Sequence, residues 1–123
     1  MILFFNTLSA RKGPIYLIKA MPFIKKQVPN IKVLIVGKGP QKDYLVKEAI
    51  TLNVQGDVEI LGYVPKEKLI ECIHAAAVTI LPSLIEGFGQ TALESMASGT
   101  PVIASEIEPL LSIIGKGGLF FPP

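Results

Sequence analysis

Two carboxylates, Glu86 and Glu94, bracket the junction between a glycine loop and a helix, with seven residues between them. After Glu86 come Gly87, Phe88 and Gly89, then Gln90 and Thr91, which open a helical pattern. Free N–H groups at a helix start and the helix dipole point the same way, so such a junction attracts anions. Two carboxylates look misplaced there for phosphate alone. They make sense for a ligand with phosphate in its middle and hydroxyl-bearing sugars at both ends. Glu94 falls one helical turn beyond Gln90 and Thr91, on their face. Taken singly, each residue reads as an ordinary solvated Glu; the fixed spacing around the loop is what sets them apart.

The string Glu86-Gly87-Phe88-Gly89, then Glu94, then Gly99-Thr100-Pro101-Val102-Ile103-Ala104-Ser105 closely resembles the donor-site signature of retaining glycosyltransferases of family 4, on the GT-B fold. The resemblance implies that Glu86 is the catalytic carboxylate, meeting the donor sugar's hydroxyls near the reacting carbon. Gly87, Phe88 and Gly89 would offer backbone N–H groups to sugar and phosphate, with Gln90 and Thr91 completing that wall. Phe88 reads equally well as a core anchor for the loop. Glu94 would grip the ribose 2′- and 3′-hydroxyls, since a carboxylate accepts from both through charge-assisted bonds. Gly37-Lys38-Gly39-Pro40 fails the dinucleotide fingerprint, because Lys42 stands at the third glycine position. It is similar to the Gly-x-Gly-Pro turn of the same family, so Gly37 and Gly39 join the donor site. Gly62-Tyr63-Val64 matches the loop that packs on the nucleotide base, so Tyr63 and Val64 join it too. Lys12 matches the Lys that contacts the diphosphate.

Three positions depart from the family pattern. Thr7 stands where the family has an Arg for the diphosphate, and Arg11 is nearby but out of place. A diphosphate leaving group needs its developing charge stabilised, so this departure bears on catalytic competence. Ala77 replaces a common Asp. Glu106-Ile107-Glu108-Pro109-Leu110 replaces a glycine-rich turn; its carboxylates either repel phosphate or cap a following helix.

The elements that must position these residues can be read from the apolar runs. Strands are expected at Ile2–Leu8, Lys32–Val36, Val58–Leu61, Val78–Leu81, Pro101–Ala104 and Leu119–Phe121. Helices are expected at Pro14–Gln27, Gln41–Leu52, Lys66–Ala75, Gln90–Ser98 and Glu108–Ile114. Pro22 sits inside the first helix and is expected to kink or divide it. Strand–helix alternation with short loops implies an α/β, Rossmann-like, doubly wound domain: a parallel sheet of about six strands with helices on both faces. Ligands in such sheets bind beyond the carboxyl ends of the strands. Every site segment named above, with Leu8–Gly13, lies just after a strand.

Length and composition agree with one domain. The chain has 123 residues and half of them are hydrophobic. Mean hydropathy is +0.50, as doubly buried parallel strands would give. Residues 1–50 hold nine Lys/Arg against two Asp/Glu, a net of +7, while residues 51–123 hold three against eight, a net of −5. The lysines read as solvated helix faces, or as attraction for a phosphorylated donor or an anionic membrane surface. No basic stripe with interleaved aromatics points to nucleic acid. Cys72 is the only cysteine, so no internal disulfide forms and a reducing, cytoplasmic setting is expected. No His/Cys cluster suggests a metal, and no metal or other cofactor is expected. His74, late in a helix, reads as a helix-end cation or a packed residue.

Residues 1–123 are expected to form the carboxyl-terminal, nucleotide-sugar-binding half of a GT-B glycosyltransferase. Its donor would be a UDP-, GDP- or ADP-linked hexose, and its partner the amino-terminal acceptor domain, which this sequence lacks. The isolated half is expected to be inactive. The alternatives are a non-catalytic nucleotide-sugar-binding or regulatory domain of the same fold, or a generic doubly wound binding domain for another phosphorylated ligand.

Overall fold

Short apolar runs that sit between helical patterns bury both faces when they line up in parallel. A computed structural model describes all residues 1–123 and realises this arrangement. Six strands form one sheet: β1 Ile2–Phe5, β2 Val33–Val36, β3 Val58–Leu61, β4 Val78–Leu81, β5 Val102–Ser105 and β6 Leu119–Phe121. Between them run α1 Pro14–Gln27, α2 Lys42–Thr51, α3 Lys66–Ala75, α4 Gln90–Ala97 and α5 Leu110–Ile114. All neighbouring strands are parallel, in the order β3-β2-β1-β4-β5-β6. The chain winds outward from β1 in one direction and from β4 in the other. The switch in strand order therefore falls between β1 and β4, where a doubly wound sheet opens a crevice at its carboxyl edge.

Side chains alternate across the sheet, and the core divides accordingly. Ile2 and Phe4 of β1 pack with Ile18 and Met21 of α1 and Leu45 of α2. Leu3 and Phe5 point the other way, onto Cys72 and Ile73 of α3. Val102 and Ala104 of β5 meet Ala92 of α4 and Leu110 and Ile114 of α5. On the α1 side of β4 to β6, Ile80, Ile103 and Phe121 line a groove of about 550 Å³ walled by Tyr16 and Ala20. No helix is long and apolar enough to cross a membrane.

Helix α1 departs from one of the two outcomes expected of Pro22. Pro22 does not divide it; the helix runs as one element from Pro14 to Gln27. Pro22 has no N–H for the Ile18 carbonyl, a local loss. Ile18 and Met21 are both fully buried, and that burial outweighs it. Strand β1 also stops earlier than expected, at Phe5 rather than Leu8. The next residues turn away: the Asn6 side-chain oxygen accepts from the Thr7 N–H at 2.8 Å. Leu8 N–H then reaches the Lys38 carbonyl at 2.8 Å.

An ion cluster holds the opposite end of the sheet. Asp57, at the entry to β3, accepts from Lys25 at the end of α1 and from Lys32 just before β2. Hydrogen bonds from both lysines hold its carboxyl below the usual range.

Candidate functional site at the carboxyl edge of the sheet

The crevice is built by loops that grip one another. Gly13 ends the β1–α1 loop in the left-handed region, with φ +67°. A Cβ there would stand 2.2 Å from the Pro82 carbonyl oxygen, so only glycine lets the two loops meet. The Arg11 carbonyl accepts from Leu84 N–H at 2.8 Å. These contacts bring Lys12 and Glu86 together, 74 positions apart in the chain. Lys12 Nζ donates to Glu86 Oε1 at 2.9 Å, and both side chains are largely buried, 16% and 7% exposed. Glu86 also accepts from Ser83 Oγ at 3.3 Å and from Gly89 N–H at 3.4 Å. Burial alone would raise the Glu86 pKa; Lys12, Gly89 and Ser83 together outweigh it and hold the carboxyl below its ordinary value. Glu86 is thus an ionised carboxylate at neutral pH.

Beside this pair, a pocket of about 470 Å³ opens over the tips of β1, β2 and β3. Its floor is Phe5, Asn6 and Thr7; Gln90, Thr91 and Glu94 of α4 form one wall. Gly37, Lys38, Tyr63 and Val64 form the other. Gln90 Nε2 donates to Glu94 Oε1 at 3.2 Å, one turn along the helix, which orients the carboxylate. Asn6 Nδ2 donates to Thr91 Oγ1 at 3.3 Å, and Thr91 Oγ1 donates to the Phe5 carbonyl at 3.0 Å. The Thr91 hydroxyl therefore ties α4 to the tip of β1 and is already engaged.

The residues singled out from the sequence fall into three groups. Gly37, Tyr63, Val64, Gln90, Thr91 and Glu94 line one pocket. Lys12, Glu86 and Gly89 form the adjoining ionic cluster. Gly39 lines neither: it packs against Leu8, whose carbonyl oxygen would lie 2.4 Å from an added Cβ. Gly87 is exposed. Phe88 is no core anchor, being 65% exposed; Leu81, Ala92 and Leu110 fill that core instead.

Among the departures, Thr7 is exposed on the pocket floor and faces no core. Glu108 does not cap α5 through the backbone; its carboxylate accepts from Ser112 Oγ at 2.6 Å within the following turn. His74 is exposed in the last turn of α3, far from these loops in the fold. Asn6 was not singled out from the sequence. The signal was present: a polar side chain directly after an apolar run, at the strand beside the switch point.

An uncharacterised glycosyltransferase of Methanocaldococcus jannaschii is 43% identical over 114 residues, which is 93% of this chain and 29% of the relative. The glycogen synthase of Mycobacterium tuberculosis is 33% identical over 116 residues, 94% of this chain and 28% of the relative. The chain thus spans under a third of the length of these curated relatives. Among solved structures, Anabaena HepE in complex with UDP superposes with a TM-score of 0.87 at 25% identity, over 99% of this chain and 34% of that one. A pneumococcal O-GlcNAc transferase, GtfA, shares the fold with a TM-score of 0.90 at 22% identity, over 99% of this chain and 24% of that one. The family model described as glycosyl transferases group 1 matches residues 1–123. This α/β domain, with its crevice at the strand-order switch, belongs to the group 1 glycosyl transferases.

Proposed function

We propose that the chain is the nucleotide-sugar-binding domain of a retaining hexosyltransferase, the carboxyl-terminal half of a two-domain enzyme. One observation carries the reading: the start of α4 stands between a pocket lined by Glu94 and a buried Lys12–Glu86 pair that accepts from Gly89 N–H, at the carboxyl ends of the strands. A nucleoside diphosphate sugar has matching parts in the same order. Glu94 takes the ribose hydroxyls, with Gln90 already holding the carboxylate in place. The diphosphate lies at the start of α4, where free N–H groups and the helix dipole favour anions. Lys12 supplies the cation there and Glu86 meets the hexose.

The Lys12–Glu86 pair sets how this site works. A diphosphate that reaches Lys12 offers it a second anionic partner. Glu86 is then free to accept from the sugar hydroxyls that arrive with the phosphate. In the paired state Lys12, Gly89 and Ser83 hold this carboxyl below its ordinary value, so Glu86 meets the ligand as a carboxylate. Leaving-group charge is stabilised only by donors already aimed at it, so Lys12 and the α4 N–H groups act on departure of the diphosphate. No metal is needed for these steps. Transfer requires an acceptor hydroxyl held in near-attack geometry, which the proposed partner domain provides. The protein acts in the cytoplasm in this reading.

A second reading is a nucleotide-sugar-binding domain without turnover. Thr7 favours it, because the β1 tip then offers no cation and Lys12 already has a carboxylate partner. Calorimetric titration of the chain with UDP, GDP and ADP and their hexose esters tests the shared donor site. Absence of binding heat and of any melting shift across that panel would reject both readings. Transfer by the two-domain protein, with none by residues 1–123 alone, supports the first reading; tight binding with no transfer by either supports the second.

A further inference from the structure

The wall opposite Glu94 holds a cation that the donor reading leaves without a task. Lys38 is the one cation lining the pocket. No carboxylate pairs with it, in contrast to Lys12. Its Nζ lies 5.8 Å from the centroid of the Tyr63 ring, over a side chain that is 74% exposed. That distance is within reach of a cation–π attraction.

The backbone under Lys38 is held in place. Gly37 has φ +147°, and a Cβ there would stand 2.0 Å from the Asn6 carbonyl oxygen. On the other side, an added Cβ at Gly39 would meet the Leu8 carbonyl oxygen at 2.4 Å. The Lys38 carbonyl itself accepts from Leu8 N–H at 2.8 Å. Gly37 N–H donates to the Leu61 carbonyl at 3.2 Å, at the end of β3. The two glycines thus press the turn against the tips of β1 and β3. Lys38 is the only residue of that turn with a side chain able to extend over the pocket from between them.

Strand order says which part of a ligand Lys38 meets. With diphosphate at the β4 side and ribose at Glu94, the base lies over β2 and β3. The tip of β3 is two strand spacings from that of β1, about 10 Å. We propose that Lys38, with Tyr63, reads the nucleotide base and selects one with a carbonyl oxygen, not an amino group, at the position of uracil O4 or guanine O6. This inference rests on the donor-site reading above. An ammonium group donates three hydrogen bonds and accepts none. Uracil O4 and guanine O6 accept; cytosine N4 and adenine N6 donate. Beside Lys38 a keto edge gains a bond, while an amino edge sets donor against donor. Tyr63 offers its ring face to any base and so adds affinity without choice.

The test is calorimetric titration of the chain and of Lys38→Met with UDP, CDP, GDP and ADP. Met keeps the length of the stem without the charge. The chain is expected to bind UDP over CDP, or GDP over ADP, by about tenfold, the scale of one charge-assisted hydrogen bond. In Lys38→Met that preference should fall below about threefold, mainly through loss of the keto nucleotide. Equal weakening of all four would show a general attraction for phosphate and overturn the assignment. Unchanged selectivity in Lys38→Met, or no preference in the parent chain, would also overturn it while leaving the donor site standing. Failure of all four nucleotides to bind either protein would bring down the donor-site reading and this inference with it. Lys38 is exposed, so equal melting temperatures are expected and certify that the variant folds.

Discussion

Lys12 Nζ and Glu86 Oε1 lie 2.9 Å apart, and each is the other's charged partner in a largely buried position. The pair joins the loop after β1 to the loop after β4 across the switch in strand order. It is at once a fastening between the two halves of the sheet and the two groups expected to meet phosphate and sugar. Removing one member leaves the other buried without its counter-charge.

That relationship predicts a non-additive mutant cycle. Lys12→Met alone should lower unfolding free energy by about 1–3 kcal/mol, the cost of an orphaned buried polar partner. Glu86→Gln alone should cost less, because the amide still accepts from Lys12 and Gly89. The double variant should recover part of the Lys12→Met loss, and urea unfolding of all four proteins measures the coupling. Strict additivity would mean that the two side chains are not coupled in the folded state.

Acid stability follows from the two lowered carboxyl groups. Glu86 and Asp57 both have native pKa values below their ordinary ones. The native state therefore binds fewer protons, so stability is fully present above the ordinary carboxyl range of about 4. It is lost as pH falls through the native values. Asp57→Asn and Glu86→Gln should each flatten the decline in melting temperature below about pH 4. Thermal scans from neutral to acid pH, with parallel slopes for parent and variants, would refute this.

Glu94 and Glu86 should separate by ligand. Glu94→Ala should weaken bare nucleoside diphosphate by about 1.5–3 kcal/mol, the range for bonds to a charged group. Glu86→Ala should matter chiefly for the sugar ester. Four titrations, two variants by two ligands, decide it; equal effects throughout would undo the assignment of ribose and sugar ends.

Thr7→Arg should tighten binding of the diphosphate and leave binding of the free nucleoside alone. Thr7 is exposed on the pocket floor, so the guanidinium stays solvated and can form a bidentate fork on phosphate. Melting temperature should hold. A stable variant with no gain for the diphosphate would show that the ligand does not cross the β1 tip.

The elements were legible where local chemistry decides them. Strands β3, β4 and β6 and helices α1 and α3 have the bounds that their apolar runs and flanking Gly and Pro residues imply. Strand β1 was overestimated because Leu8 continues the apolar pattern while its backbone pairs with Lys38 instead of the ladder. Pro22 leaves α1 undivided because propensity is local and the burial of Ile18 and Met21 is not. Phe88 carries no sign in its own segment of which way it faces. At the site, the motif located Glu86 and Glu94, but not the pairing of Glu86 with Lys12. That contact depends on β4 lying beside β1, and strand order is a property of the whole sheet. The engaged Thr91 hydroxyl was hidden for the same reason: its partners are Phe5 and Asn6, at the other end of the chain.

The two ionic clusters stand at opposite poles of the strands. Lys25, Lys32 and Asp57 clasp the amino ends, and Lys12 with Glu86 sits beyond the carboxyl ends. None of the three residues at the first pole lines the ligand pocket. Exposed lining residues such as Thr7, Lys38 and Tyr63 can therefore change without loosening the clasp at the far pole. A domain wired this way can change what it carries without first relearning how to fold.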